Sequence, residues 1–224
     1  MRETNLLFQA VLKGTAGFLL VCLFLFLPAG TLAYTGAWLF LALLFVPMGA
    51  LCAVLYRKAP ELLRKRLNTR EQQARQKAVV GLGALVFVIS FVLAGLDRRF
   101  GWSNIPLSAQ ILAGILQLAA YALYAEVMRE NAYLSRTVEV QKGQKLIDTG
   151  LYSLVRHPMY AAASLLFLAI PVVLGSWPAF AVMLVYPILL AARIKNEEQV
   201  LAEGLDGYTE YMRKVKWRMI PFLW

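Results

Sequence analysis

Histidine occurs once in this 224-residue chain, as His157, and cysteine twice, as Cys22 and Cys52. So sparse a supply of imidazole and thiolate excludes a zinc or di-iron centre, which needs several such ligands gathered together. Both cysteines lie inside apolar stretches without CxxC spacing, so they read as small buried hydrophobes and not as a disulfide framework. No GxGxxG, Walker loop or GxSxG elbow is present, which removes the common soluble nucleotide folds and the serine hydrolases. Internal repeats and low-complexity tracts are missing as well. Acidic residues are few, 13 against 23 lysines and arginines. Scarcest of all is charge within the long apolar runs. Only Glu126, near the end of one run, carries any, which argues against an ion or proton pathway through them.

What the chain has in excess is hydrophobic length. Sixty per cent of its residues are apolar and its mean hydropathy is +0.60, beyond an ordinary soluble domain. Runs long enough to cross a bilayer fall at 15–34, 36–56, 78–96 and 106–128, followed by shorter runs at 158–175 and 178–192. None alternates as a barrel strand would, and backbone in hydrocarbon must satisfy its own polar groups, so the runs predict helices. The expected fold is an all-α, polytopic membrane bundle of about six apolar helices. Its last two, joined by Gly175-Ser176-Trp177-Pro178, form an antiparallel hairpin of uncertain depth. The first run is long, lacks a clear small-residue cleavage site and is followed at once by another, so it is expected to be an anchor and not a signal peptide. Helices over 1–129 and a polar-patterned part over 130–224 are expected to form one integrated membrane domain.

On this topology two basic residues precede the first helix, eight lie in 57–77, five in 129–156 and six after Ala192, all on one side. Only Arg98 and Arg99 fall on the other. The asymmetry predicts that both termini and the polar clusters are cytoplasmic. A net charge of +10 spread over juxtamembrane loops suits anionic headgroups, so membrane lipids and not nucleic acid are the expected partner. Within 57–77 the helix formers after Pro60 predict a short interfacial helix, and 131–149 reads as an ordered loop.

Two polar clusters bracket the hairpin and can meet at its base. The first, over 150–160, sets His157 beside Arg156, Pro158, Tyr152 and Tyr160. Proline at a first helical turn starts the helix, and its exposed amides can cradle a polar group, or the His-Pro pair can simply cap the helix and touch headgroups. The second cluster holds Arg193, Glu197 and Glu198. Residues four apart share a helix face, so Arg193 and Glu197 can bind a zwitterion, guanidinium to carboxylate and carboxylate to ammonium, or else close a helix-end salt bridge. Beyond them, Val200, Leu201, Leu205, Tyr208, Tyr211 and Met212 follow helical spacing as packing positions, with Gly204 and Gly207 as breaks. The tail, with Trp217, Met219, Ile220, Phe222, Leu223 and Trp224, is expected to return to the interface and cover the site.

The ordered set TGLYSLVRHPMYAA, a hairpin, then RIKNEEQVLAEGLDGYTEYMRKV resembles the integral-membrane isoprenylcysteine carboxyl methyltransferases and the related phospholipid methyltransferases. Its motifs are GxYxxxRHPxY, RxxxEE and GYxxY, and the likeness covers roughly 142–222. It implies S-adenosylmethionine as cofactor, contacted by Gln144, Lys145, Leu146, Ile147, Tyr152, His157, Pro158, Met159 and Tyr160, with Glu197 on its amino-acid end. It also implies Arg193 facing a substrate carboxylate and Glu198 completing the catalytic pair. Ala161-Ala162 replaces the family's usual glycine after RHPxY, and Leu205-Asp206-Gly207 stands where a Phe-Gly pair is common. The expected activity is methyl transfer to a lipophilic, membrane-borne acceptor, prenylcysteine-like at a carboxylate, which is ionised at neutral pH and needs no base. An amine acceptor, as in phospholipid N-methylation, would need Glu197 or Glu198 as base. The rivals are an NADPH-dependent sterol-type membrane reductase and a non-catalytic scaffold or small transporter.

Overall fold

The computed structural model describes the backbone of residues 2–67, 74–135 and 137–224, and the side chains of 6–67, 76–135 and 137–224. Among these residues the regular structure is helical. In chain order the helices are α1 (Arg2–Ala29), α2 (Thr35–Lys58), α3 (Pro60–Leu67), α4 (Ala74–Phe100), α5 (Leu107–Glu130), α6 (Pro158–Leu174), α7 (Trp177–Met183), α8 (Val185–Gly204) and α9 (Tyr208–Lys214), with a short 3-10 turn at Gly150–Ser153 ahead of α6. Five stretches are long and apolar enough to span a bilayer: Leu6–Ala29, Thr35–Lys58, Gln76–Phe100, Leu107–Glu130 and Trp177–Gly204. Pro158–Leu174 is shorter. These are the six apolar helices read from the sequence, and the chain is a polytopic helical membrane bundle.

Boundaries moved where local chemistry outweighed hydropathy. The first run was expected to reach residue 34, but α1 stops at Ala29 because Gly30 turns left-handed at φ 66. Tyr34 instead precedes α2 and is buried, its hydroxyl donating to the Leu174 carbonyl at 2.7 Å. The hairpin's second arm is interrupted at Leu184, since Pro187 lacks the amide hydrogen that would bond back across that turn. As expected, a short helix follows Pro60, burying Leu62 and Leu63 against Leu6, Leu55 and Met128. The rest of that connector, 68–73, lies outside the described residues.

The main core joins α1, α2, α4, α5 and α6 around Leu25, Phe40, Phe91, Ile170 and Val173. Helices α1 and α4 meet so closely that a Cβ on Gly95 would sit 2.5 Å from the Leu25 carbonyl oxygen. At the end of the bundle away from His157, Asp97 is buried at 3% exposure. Its carboxylate accepts from the Ser103 amide at 2.8 Å, the Ser103 hydroxyl at 2.6 Å and the Ser176 hydroxyl at 2.6 Å. Ser176 in turn accepts from the Ala179 amide, capping α7, and the Ser103 hydroxyl accepts from the Trp177 amide. One carboxylate thus ties the α4–α5 turn to the hairpin turn, where Gly175 is left-handed at φ 81. Asp97→Ala removes the acceptor for three donors and should lower stability by about 2–4 kcal/mol, read by unfolding titration in mixed micelles. An unchanged midpoint would show that the clasp contributes nothing.

Candidate functional site

The polar end of the bundle is organised by the turn that leads into α6. Gly150 is left-handed at φ 55, and any Cβ there would collide with the Glu130 carboxylate. That carboxylate accepts from the Leu151 amide at 3.0 and 3.2 Å, so the end of α5 anchors the turn. Tyr152 is buried; its hydroxyl accepts from Asn131 Nδ2 at 2.9 Å and its carbonyl accepts from the Tyr211 hydroxyl at 2.6 Å. Burial pushes the pKa of both phenols well above the ordinary tyrosine value, so both stay protonated.

The next two residues pair with the chain's tail: the Arg156 amide donates to the Trp217 carbonyl at 2.9 Å and the His157 amide to the Arg218 carbonyl at 2.7 Å. Pro158 opens α6, as its lack of an amide hydrogen favours. The His157 side chain makes no capping bond and instead meets Glu198. Glu198, 5% exposed, takes Arg156 Nε at 2.7 Å and His157 Nε2 at 3.3 Å on one oxygen, and Arg218 Nε at 2.8 Å on the other. Arg156 also donates to the Val215 and Lys216 carbonyls at 2.6 and 3.0 Å. Carboxylate and guanidinium together lock turn, α8 and tail into one body.

The two polar clusters do converge. The Tyr160 hydroxyl donates to Glu197 Oε2 in a short bond and accepts from Arg193 Nε at 3.0 Å, so it stands between the two α8 residues. Arg193 also donates to Gln76 Oε1 of α4 at 2.9 Å. Tyr160, Arg193 and Glu197 line a cavity of about 1310 Å³, with Gln76 behind Arg193. Of the residues expected at the site, Gln144, Lys145, Leu146, Ile147, Tyr152, His157, Met159, Tyr160, Arg193 and Glu197 line it. Pro158 and Glu198 are not among its lining residues. Glu198, expected to be catalytic, is instead enclosed by its three cationic or imidazole partners, and Pro158 is packed at the helix start. The tail also departs from expectation: it backs the turn and contributes no lining residue beyond Tyr211, because its carbonyls are held by Arg156.

Sequence reasoning missed several contributors. Gln76 arrives from α4, and Arg66 of α3 lies in the cavity wall over the Tyr124 ring, 5.3 Å from its centroid. Both lie among the polar residues of the basic connector 57–77, where nothing in the sequence distinguishes them from their neighbours. Tyr208, expected only to pack, also lines the cavity. Away from these groups the cavity turns apolar. Phe87, Phe167 and Tyr186 line it and meet edge to face at 4.9–5.2 Å, Phe167 and Tyr186 standing about two helical turns, roughly 10 Å, along α6 and α8 from Tyr160 and Arg193. Leu7 and Val11 of α1, Met48 of α2 and Val80 of α4 line it and are exposed side chains. A polar pocket therefore continues into an apolar-lined corridor whose walls include exposed side chains.

Residues 108–206 match the family model described as Phospholipid methyltransferase, a segment running from α5 through the turn and hairpin to the end of α8. The cobalt-zinc-cadmium resistance protein CzcN of Cupriavidus metallidurans is 30% identical over 138 residues, 59% of this chain and 60% of that protein. The Delta(14)-sterol reductase TM7SF2 of Mus musculus is 28% identical over 91 residues, 39% of this chain but 22% of that protein. YpbQ of Bacillus subtilis is 25% identical over 169 residues, 74% of this chain and 96% of that protein. The chain thus spans less than two thirds of the first two relatives.

Removing the Glu198 carboxylate would leave Arg156 and Arg218 without their buried counter-charge. Glu198→Ala should therefore cost about 3–5 kcal/mol and release the tail, measured by unfolding titration and by faster amide exchange over 215–219. Amide exchange there at the wild-type rate would argue that the tail is held by other contacts.

Proposed function

We propose that this chain, whose residues 108–206 belong to the phospholipid methyltransferase family of membrane methyltransferases, transfers a methyl group from S-adenosylmethionine to a lipophilic acceptor that reaches the site from the bilayer. The observation that carries the reading is the meeting of Tyr160, Arg193 and Glu197 at the mouth of a corridor that is polar at one end and apolar at the other. When bound, S-adenosylmethionine supplies a methyl group activated by its sulfonium. The residues present suit it: Glu197 offers a carboxylate to an ammonium, Tyr152 and His157 offer aromatic and imidazole surface, and the cavity is large enough for cofactor and acceptor head together.

The protein's own part is alignment and exclusion of water. A displacement that disperses charge gains from a dry, fixed environment more than from strong acids or bases. Arg193, oriented by Gln76 and Tyr160, faces the acceptor and favours an anionic carboxylate, which needs no base. Glu198 acts as a positioning residue that sets Arg156 and His157. Helices before residue 130 form the acceptor corridor, and the chain from 130 onward holds the cofactor. The concentration of basic residues at this end supports a cytoplasmic location for it and for both termini. A phospholipid amine is the alternative acceptor. The match to a sterol reductase keeps a second reading alive, hydride transfer from NADPH.

Calorimetry on the full chain in micelles should give saturable S-adenosylhomocysteine binding and none for NADPH; the reverse would replace methyl transfer with reduction. Incubation with a membrane lipid extract and methyl-labelled S-adenosylmethionine should yield label that alkali releases as methanol, marking an ester. Alkali-stable label would identify an amine acceptor. Arg193→Ala should lower ester formation about a hundredfold or more while changing S-adenosylhomocysteine affinity only slightly, and near-normal turnover would remove Arg193 from acceptor binding.

A further inference from the structure

Tyr208 presents a contradiction unless something binds beside it. Its side chain is buried at 3% exposure, packed with Tyr211 and Val215 against Leu146, Leu201 and Leu205, and it lines the cavity. Its hydroxyl has no hydrogen-bond partner among the described residues. A buried hydroxyl without a partner is costly, and native proteins rarely retain one. Its neighbour Tyr211, three positions on, uses its own hydroxyl on the Tyr152 carbonyl.

The surroundings define what is missing. Burial, then the charges of Glu198 and Glu197, hold the Tyr208 phenol far above the ordinary tyrosine pKa, so it stands ready only to donate or to accept as a neutral hydroxyl. The oxygens of Glu198 are taken by Arg156, His157 and Arg218, and Glu197 Oε2 is taken by Tyr160. A ligand oxygen entering the cavity that Tyr208 lines can meet this hydroxyl. Tyr208 packs against Leu201, one helical turn from Glu197 on the same face of α8, and Glu197 and the Arg156 side chain line the same cavity, so an oxygen that meets Tyr208 lies on the side where Glu197 would take an ammonium. In an α-amino acid the group two bonds from the ammonium is the carboxylate.

We infer that Tyr208 reads the carboxylate of the cofactor's amino-acid end, donating its hydroxyl hydrogen to that carboxylate while Glu197 accepts from the adjoining ammonium. This rests on the methyltransferase reading above and adds to it a residue outside the matched segment. It also separates the roles of the two cavity arginines: Arg156 lends charge to the cofactor's carboxylate, and Arg193 serves the acceptor.

The test compares wild type and Tyr208→Phe, full length in micelles, by calorimetry with S-adenosylhomocysteine and with methylthioadenosine, which keeps the nucleoside but lacks the amino-acid end. The substitution should weaken S-adenosylhomocysteine by roughly tenfold or more, as for a lost hydrogen bond to a charged group, and leave methylthioadenosine nearly unchanged. Without ligand, the thermal midpoint of Tyr208→Phe should equal or exceed that of wild type, because an unmet polar group has been removed. Equal weakening of both ligands would assign Tyr208 to packing or to the nucleoside. No weakening of either would mean that its hydroxyl is met by solvent. Both results overturn the inference while leaving methyl transfer standing; wild-type protein that binds neither ligand defeats methyl transfer itself.

Discussion

The polar half of this molecule depends on one carboxylate. Glu198 sits almost wholly out of water with nitrogens of Arg156, His157 and Arg218 within 2.7–3.3 Å, and these reach it from the α6 turn and from the tail. Desolvating so many ionic groups is unfavourable unless geometry and further hydrogen bonds compensate, and here the Val215 and Lys216 carbonyls supply them. The result is rigidity where a site needs it. His157 and Tyr160 hold their orientation because the backbone before them is paired with 217–218 and the side chain behind them is clamped to α8. The order of the candidate site thereby rests on a residue that does not itself line the cavity.

The opposite end solves a similar problem with weaker chemistry. Asp97 is as buried as Glu198, yet its partners are serine hydroxyls and a backbone amide, with no cation among them. A charged acceptor strengthens each of those bonds, and the clasp fixes the hairpin turn from which α6 and α7 depart. Both arms of the hairpin are therefore pinned at both ends, by Asp97 at one and by the Tyr160–Glu197 contact at the other. Between the pins the packing is ordinary: small residues such as Gly95 and Ala94 admit close helices, and Phe40, Phe91 and Ile170 fill the middle.

Much of the fold could be read from hydrophobic length, because a bilayer leaves the backbone few alternatives to a helix. The position of the candidate site was suggested for a different reason: histidine, arginine and glutamate gather at the two ends of the apolar hairpin, and its fold brings those ends together. What could not be read is pairing across the chain. Gln76 looks like one more polar residue in a basic connector until α4 brings it to Arg193. Asp97 looks like the end of a helix until two serines far apart in sequence converge on it. Glu198 and Glu197 are neighbours of one chemical type, and only their rotation about α8 separates the one that faces the cavity from the one that faces the tail. Tyr208 obeys a packing periodicity, and its ring does pack. Its hydroxyl alone breaks the pattern, and spacing carries no information about a single atom.

The ring cluster of Phe87, Phe167 and Tyr186 carries a consequence for how turnover would scale. If the proposed acceptor carries a long chain, the roughly 10 Å of helix between these rings and Tyr160 or Arg193 is too short for that chain to lie straight inward, and it would bend past Met48 and Val80, which line the corridor. Such a molecule would never leave its leaflet, before reaction or after. Rates would then follow its mole fraction among neighbouring lipids, a two-dimensional quantity, and diluting the membrane with inert lipid would slow the enzyme even when the amount of acceptor in the tube is held constant.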